Sequence, residues 1–269
     1  MRVPLLTYEN LCVSYGEQTV LQDVNLCVYE GETVGIVGES GSGKSTILRA
    51  TMGLLGRAGT IQQGQICYGG SDLALCSSEE LRSLCGSEIG MIFQDCLSAL
   101  TPIRTIGSQL YEEYCVHAAC RESKEIVLSR AARLLRSLSL AEPERVLASY
   151  PFELSGGIGQ RVGIAAAMLL EPKVILADEP TSALDVVSQK QVLTEFARLK
   201  EKNNTSFVFV SHNIAAVRAV ADYVVVLKDG KIMEQGKAKD VLTSPRSPYT
   251  QELLAAVPSL GKEVEHDGA

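Results

Sequence analysis

This sequence of 269 residues has no apolar run near the ~20 residues needed to span a bilayer; the longest, Val162 to Leu170, falls far short. Nor does it open on a leader. MRVPLLTYENL has no charged start feeding an apolar stretch and no small-residue cleavage site, so export is not expected and the chain is placed in the cytoplasm. Positive charge is scarce: Lys and Arg number 25 against 32 Asp and Glu, and the net charge of -7 argues against a general electrostatic grip on nucleic acid. CxxC pairs are missing, although there are eight cysteines, all between Cys12 and Cys120. The spacing of Cys67, Cys76, Cys85 and Cys96 matches no zinc or iron-sulfur pattern. Cys115, His117 and Cys120 form the one tempting group, and on a helix they read as packing; reduced thiols are expected throughout. Internal repeats, low-complexity segments and heptads are absent as well.

What is there is ordinary globular material, 46% hydrophobic and 21% charged, enough for one large domain or two packed ones. The pattern predicts strands over Leu5 to Ser14, Val20 to Tyr29 and Thr33 to Val37, a hairpin leading into a buried strand. A helix is expected over Lys44 to Leu54 and a strand over Gly64 to Tyr68. Ser77 with Glu80 fits a capping box that opens a short helix ending near Cys85, and Ile89 to Phe93 is a second buried strand. From Pro102 to about Leu170 the spacing is helical, with Val127, Ala131, Leu134, Leu135 and Leu138 on one face. Strands return at Val174 to Ala177, Phe207 to Val210 and Tyr223 to Leu227, alternating with helices over Val187 to Lys202 and Ile214 to Ala221, as a parallel sheet with crossover helices requires. After Gly236 come a short helix, a Pro-rich turn, a helix over Tyr249 to Val257 and a polar tail.

Gly38 to Thr46 reads GESGSGKST between an apolar strand and a helix, which satisfies the G-x-x-x-x-G-K-[ST] spacing in its required context. Gly38, Gly41 and Gly43 let the backbone of Glu39, Ser40 and Ser42 curl around phosphate oxygens. Lys44 reaches the outer phosphates, the Ser45 hydroxyl ligates Mg²⁺, and Thr46 lies in the first turn, where the helix dipole adds partial positive charge. The strand ending at Asp178 aims that acid at the same Mg²⁺, and Glu179 can orient and polarise an attacking water. Alone, an apolar run ending in Asp-Glu would be a strand meeting a solvated loop; the loop at Gly38 gives it this second meaning.

Leu154 to Arg161, LSGGIGQR, narrows the reading. With it the chain resembles the ATP-binding cassette (ABC) family, from about Leu5 to Leu260. The resemblance implies an α/β fold: a P-loop NTPase (RecA-like) core with an antiparallel β subdomain, over 1–95 and 171–236, an inserted α-helical subdomain over 96–170, and a short C-terminal extension over 237–269. It also implies that Ser155, Gly156 and Gly157, at a helix start, bind the γ-phosphate of ATP held by another subunit. Tyr15 corresponds to the aromatic that stacks on adenine, although a lone Tyr is more often packing. Gln94 corresponds to the glutamine that contacts Mg²⁺ or water and hinges the insert, Ser182 to Asp185 to the loop crossing the dimer interface, and His212 to the histidine touching the γ-phosphate.

Three positions depart from the family pattern: Cys96, at the hinge, where the importer branch has Pro; Gly159 where a basic or polar residue is common, at up to ~1 kcal/mol in helix propensity; and Asn213 in place of Asp. No catalytic group is lost, so Glu179 and His212 imply a hydrolytically competent site.

Being without a spanning segment, such a chain would work at the cytoplasmic face of the membrane with separate permease subunits docking near Leu97 to Ile106. A second ABC ATPase, identical or homologous, would complete the ATP sandwich, and an extracytoplasmic solute-binding protein would act indirectly. SPRSPYTQELLAAVPSL, with YPFELSGG and LDVVSQ, resembles ATPases of oligopeptide, dipeptide and nickel importers. The rival is a soluble ABC ATPase of a complex for phosphonate breakdown or iron-sulfur assembly. A DNA-repair or chromosome ATPase would need a long coiled coil or zinc modules that are not present.

Overall fold

The computed structural model describes residues 2–118 and 122–256. The chain opens on a long hairpin, β1 (Pro4–Tyr15) and β2 (Gln18–Tyr29), followed by β3 (Thr33–Val37), a glycine-rich loop and α1 (Lys44–Thr51). Next come β4 (Gly59–Tyr68), β5 (Ser71–Asp72), α2 (Ser78–Leu84) and β6 (Ile89–Ile92). A helical stretch follows: α3 (Ile106–His117), α4 (Lys124–Ser137), α5 (Pro143–Ala148), a single 3-10 turn and α6 (Gly156–Met168). Alternation then resumes with β7 (Val174–Asp178), α7 (Val186–Asn203), β8 (Ser206–Val210), α8 (Ile214–Val220) and β9 (Tyr223–Lys228). The chain closes with β10 (Lys231–Lys237), α9 (Ala238–Thr243) and α10 (Pro248–Ala255).

Two sheets result. One is antiparallel, in the order β2-β1-β4-β5; the other runs β10-β9-β3-β8-β7-β6, parallel from β9 to β6 with β10 antiparallel at its edge. Every residue of β3, β7 and β8 is buried, as a parallel sheet covered on both faces demands. Alternate side chains of one strand feed two different cores: Val208 and Val210 pack with Leu6, Leu21 and Ile47 beneath the antiparallel sheet, whereas Phe207 and Phe209 pack with Phe196 and the helices on the opposite face. Burying each such side chain contributes roughly 1.5–3 kcal/mol. The stripe foreseen on α4 is real: Val127, Ala131, Leu135 and Leu138 are buried and Leu134 packs at its edge. Ser77 and Glu80 form the expected capping box, the Ser77 hydroxyl accepting the Glu80 N–H at 3.2 Å and the Glu80 carboxylate accepting the Ser77 N–H at 2.8 Å.

Some boundaries differ from expectation. The first helix stops at Thr51 rather than Leu54, because Gly53 turns the chain at φ 66°. β4 begins at Gly59, its polar first half held by pairing with β1. β10 is unforeseen, since KIMEQGK carries little β signal; Asp229 and Gly230, both at positive φ (47° and 77°), make the two-residue hairpin turn that lays it on β9. Val257 and Cys120 lie outside the described residues.

Candidate functional site

β3 delivers the glycine-rich loop to the rim of the parallel sheet. A Cβ on Gly38 would collide with the Leu227 carbonyl oxygen, and one on Gly43 would sit 2.6 Å from Leu21 Cδ2, so the packing here requires glycine. Lys44 is buried, and its Nζ donates to the carbonyls of Gly38 (2.9 Å) and Glu39 (2.7 Å). Burial pushes the Lys44 pKa down, opposed by the carboxylates of Glu179, Asp178 and Glu39. The Ser42 hydroxyl is buried without a hydrogen-bond partner among the described residues.

β7 ends on Asp178, which is buried and accepts the Ser45 hydroxyl at 2.7 Å. Burial raises the Asp178 pKa, against the pull of the Ser45 hydrogen bond and of the Arg49 and Lys44 charges. Glu179 sits at φ 49°, a left-handed conformation uncommon outside glycine, and is held there by its N–H donating to Val210 O at 3.0 Å. That turn swings the side chain toward His212, whose N–H donates to Glu179 Oε1 (3.1 Å) and whose Nδ1 lies 2.8 Å from Oε2. The Glu179 side chain is 12% exposed and that of His212 69%, so the carboxylate forms the floor and the imidazole the rim.

These groups open on one cleft of about 580 Å³. Ser40, Gly41, Gly43, Lys44, Ser45 and Thr46 line it with Glu179 and His212; Tyr15, from the end of β1, and Gln94, after β6, line it too. Asp178 stands behind Ser45, and Gly38 and Glu39 behind Lys44. Two lining residues were missed, Val20 and Arg49. Arg49 was legible in principle, four residues after Ser45 and so on the same face of α1. Buried Lys44, the orphaned Ser42 hydroxyl and the loop amides fit a polyphosphate. The paired oxygens of Ser45 and Asp178, with Gln94, fit a hard divalent cation.

Ser155, Gly156 and Gly157 are not brought to this cleft. Ser155 N-caps α6 without a side-chain bond, and Ser155 and Gly156 are exposed. A Cβ on Gly156 would meet nothing within 4 Å, and one on Gly157 nothing nearer than Leu184 Cδ2 at 3.7 Å. Gly156 instead lines a separate hollow of about 360 Å³ with Gln94, Leu97 and Ser182.

The departures acquire physical reasons. Cys96 is buried, its Sγ donating to Phe93 O at 3.2 Å; burial pushes the thiol up to about 12. It fills the space over Gly163, where a Cβ would collide with it, and Leu97 fills the space over Gly159 in the same way. Gln160, also buried, donates to Phe93 O at 3.3 Å. The segment carrying Gln94 is thereby pinned to α6, and Gly159 makes room for Leu97. Asn213 N-caps α8, accepting the Ala216 N–H at 3.2 Å, as an Asp would.

A family model described as ABC transporter matches residues 21–182, and one described as Oligopeptide/dipeptide transporter, C-terminal region, matches 233–268. The oligopeptide transport ATP-binding protein OppD of Bacillus subtilis is 40% identical over 268 residues, 98% of this chain and 74% of that protein. The dipeptide transport ATP-binding protein DppD of Escherichia coli is 39% identical over 265 residues, 97% of this chain and 80% of that protein. Among solved structures, a dimeric post-hydrolysis state of the ATP-binding cassette MJ0796 bound to ADP and Pi superposes with a TM-score of 0.78 at 30% identity, over 87% of this chain and 98% of the other. With its cleft, its two-sheet architecture and these matches pointing one way, the chain belongs to the ABC transporter family.

Proposed function

We propose that this chain is the ATP-hydrolysing subunit of an importer that drives peptide uptake through separate membrane permeases. The observation that carries the reading is the convergence of buried Lys44, the Ser45–Asp178 pair and the Glu179–His212 pair on one cleft. Lys44 and the loop amides bind the phosphates, and Tyr15 offers its ring to the base. Ser45, Asp178 and Gln94 would hold Mg²⁺, which would neutralise phosphate charge. Glu179 takes the proton of the attacking water, and His212, bonded to the same carboxylate, fixes its orientation. The matching Ser-Gly-Gly of a second ABC ATPase, identical or homologous, would cap the triphosphate from the far side, and Ser155, Gly156 and Gly157 would do the same for that partner. No described residue crowds these glycines closer than ordinary contact, which supports a role toward another molecule.

Peptide rather than nickel is favoured by the match of 233–268 to the oligopeptide/dipeptide C-terminal region and by relatives named for those solutes. No observation favours the soluble-complex alternative. Among the described residues no helix is long and apolar enough to cross a membrane. The chain would therefore be held at the cytoplasmic face by its permeases, with a solute-binding protein delivering peptide on the other side. We take 1–95 with 171–236 as the nucleotide-binding core, 96–170 as the permease-facing insert and 237–269 as the extension. The test is Glu179→Gln: ATP binding is retained and phosphate release falls by about 10²- to 10⁴-fold; undiminished release would refute the assignment.

A further inference from the structure

The glycine-rich loop is held on its outer side by residues that come last in the chain. The β9–β10 turn sets the Gly230 N–H on Ser42 O at 3.0 Å. Beyond β10, α10 lays Tyr249 against the start of the loop, 6% exposed, its hydroxyl accepting the Glu39 N–H at 3.3 Å. Lys228 Nζ covers the ring, 4.3 Å from its centroid. The helix is itself tied down. Glu234 of β10 accepts the N–H of Arg246 at 2.8 Å and of Ser247 at 3.0 Å, fixing the chain where α10 begins.

From within the loop, Lys44 grips the same place. Gly38 O and Glu39 N–H belong to one peptide unit, whose carbonyl is taken by Lys44 and whose N–H is taken by Tyr249. An ammonium has three donors, and two of those on Lys44 are spent on loop carbonyls. When Lys44 turns to an anionic ligand it gives up part of that grip, whereas the Tyr249 contact lies on the other side of the peptide and is not exchanged.

We infer that Tyr249 is a positioning residue for nucleotide binding: the segment from β10 to α10 braces the phosphate-binding loop, keeping the Gly38–Glu39 peptide in place while Lys44 trades carbonyls for phosphate. This rests on the reading of the cleft as an ATP site. It also gives the stretch matching the peptide-transporter C-terminal region a task inside its own chain. A loop fixed before the ligand arrives loses less freedom on binding, so the brace acts on affinity rather than on the chemical step.

The test is calorimetric titration of the full chain with ATP and Mg²⁺, with thermal unfolding recorded without nucleotide. Tyr249→Phe keeps the ring under Lys228 and removes only the hydroxyl. Its Kd for ATP is expected to rise about 3- to 10-fold, the range that loss of the hydroxyl's contacts with Glu39 supports. KM should rise in step, with kcat and the nucleotide-free melting temperature unchanged. A wild-type Kd, a fall in kcat at constant KM, or a loss of affinity matched by a loss of melting temperature would each overturn the inference. Lys44→Ala separates this from the underlying reading. If Lys44→Ala loses ATP while Tyr249→Phe binds as wild type, only the brace fails; if Lys44→Ala also binds as wild type, the ATP site itself fails.

Discussion

The chain carries two glycine-rich helix starts, and their surroundings are opposite. At 38–46 the glycines are compelled from inside: neighbouring backbone and side chains leave no room for a Cβ at Gly38 or Gly43, and the loop wraps a buried lysine. At 154–157 nothing among the described residues compels them, because Gly156 faces open space and Ser155 is exposed without a capping bond. A glycine that its own fold does not need answers to something else. On the proposed reading, the first segment is one half of the nucleotide site and the second is the half offered to another molecule.

The largest way to break this contrast is through turnover. Gly156→Asp leaves the cleft untouched and puts an acid in a first helical turn, where it is tolerated by the dipole. Facing the triphosphate of a partner it should cut ATP hydrolysis by at least about 10²-fold; wild-type phosphate release would erase the distinction between the two segments. Stability sharpens it next. Gly38→Ala, driven into the Leu227 carbonyl, should cost on the order of 2–4 kcal/mol in denaturant titration, whereas Gly156→Ala should be neutral or stabilising by up to ~1 kcal/mol. Equal losses at the two sites would contradict the reading. Smaller still is the packing that ties the Gln94 segment to α6. Gly159→Ala should cost about 1–3 kcal/mol, and Leu97→Ala in the same chain should recover most of it, a coupling readable in a double-mutant cycle. Additive losses would mean that Leu97 and Gly159 do not share the space.

Much of this was legible in the sequence where local rules decide. Val-Ile-Leu-Ala-Asp reads as a buried strand ending in an acid, and GESGSGKST between strand and helix gives that acid its meaning beside a phosphate-binding loop. Ser77 and Glu80 announce their helix three residues apart. What stayed hidden depends on partners distant in the chain. β10 is polar and becomes a strand only because β9 offers an edge. Tyr249 reads as a residue in a terminal helix until the fold brings it to Glu39, 210 positions earlier. Cys96 and Gly159 read as blemishes until Gly163 and Leu97 are seen to complement them. The left-handed turn at Glu179, which aims the side chain at His212, has no signature in residue type at all.

The claim that a second chain completes the cleft is tested most directly by light scattering on the Glu179→Gln chain, which is expected to hold ATP without consuming it. With ATP and Mg²⁺ the mass should double, and with ADP it should remain that of one chain. Equal association with the two nucleotides would contradict a triphosphate gripped between Lys44 of one subunit and the serine-led helix tip of the other.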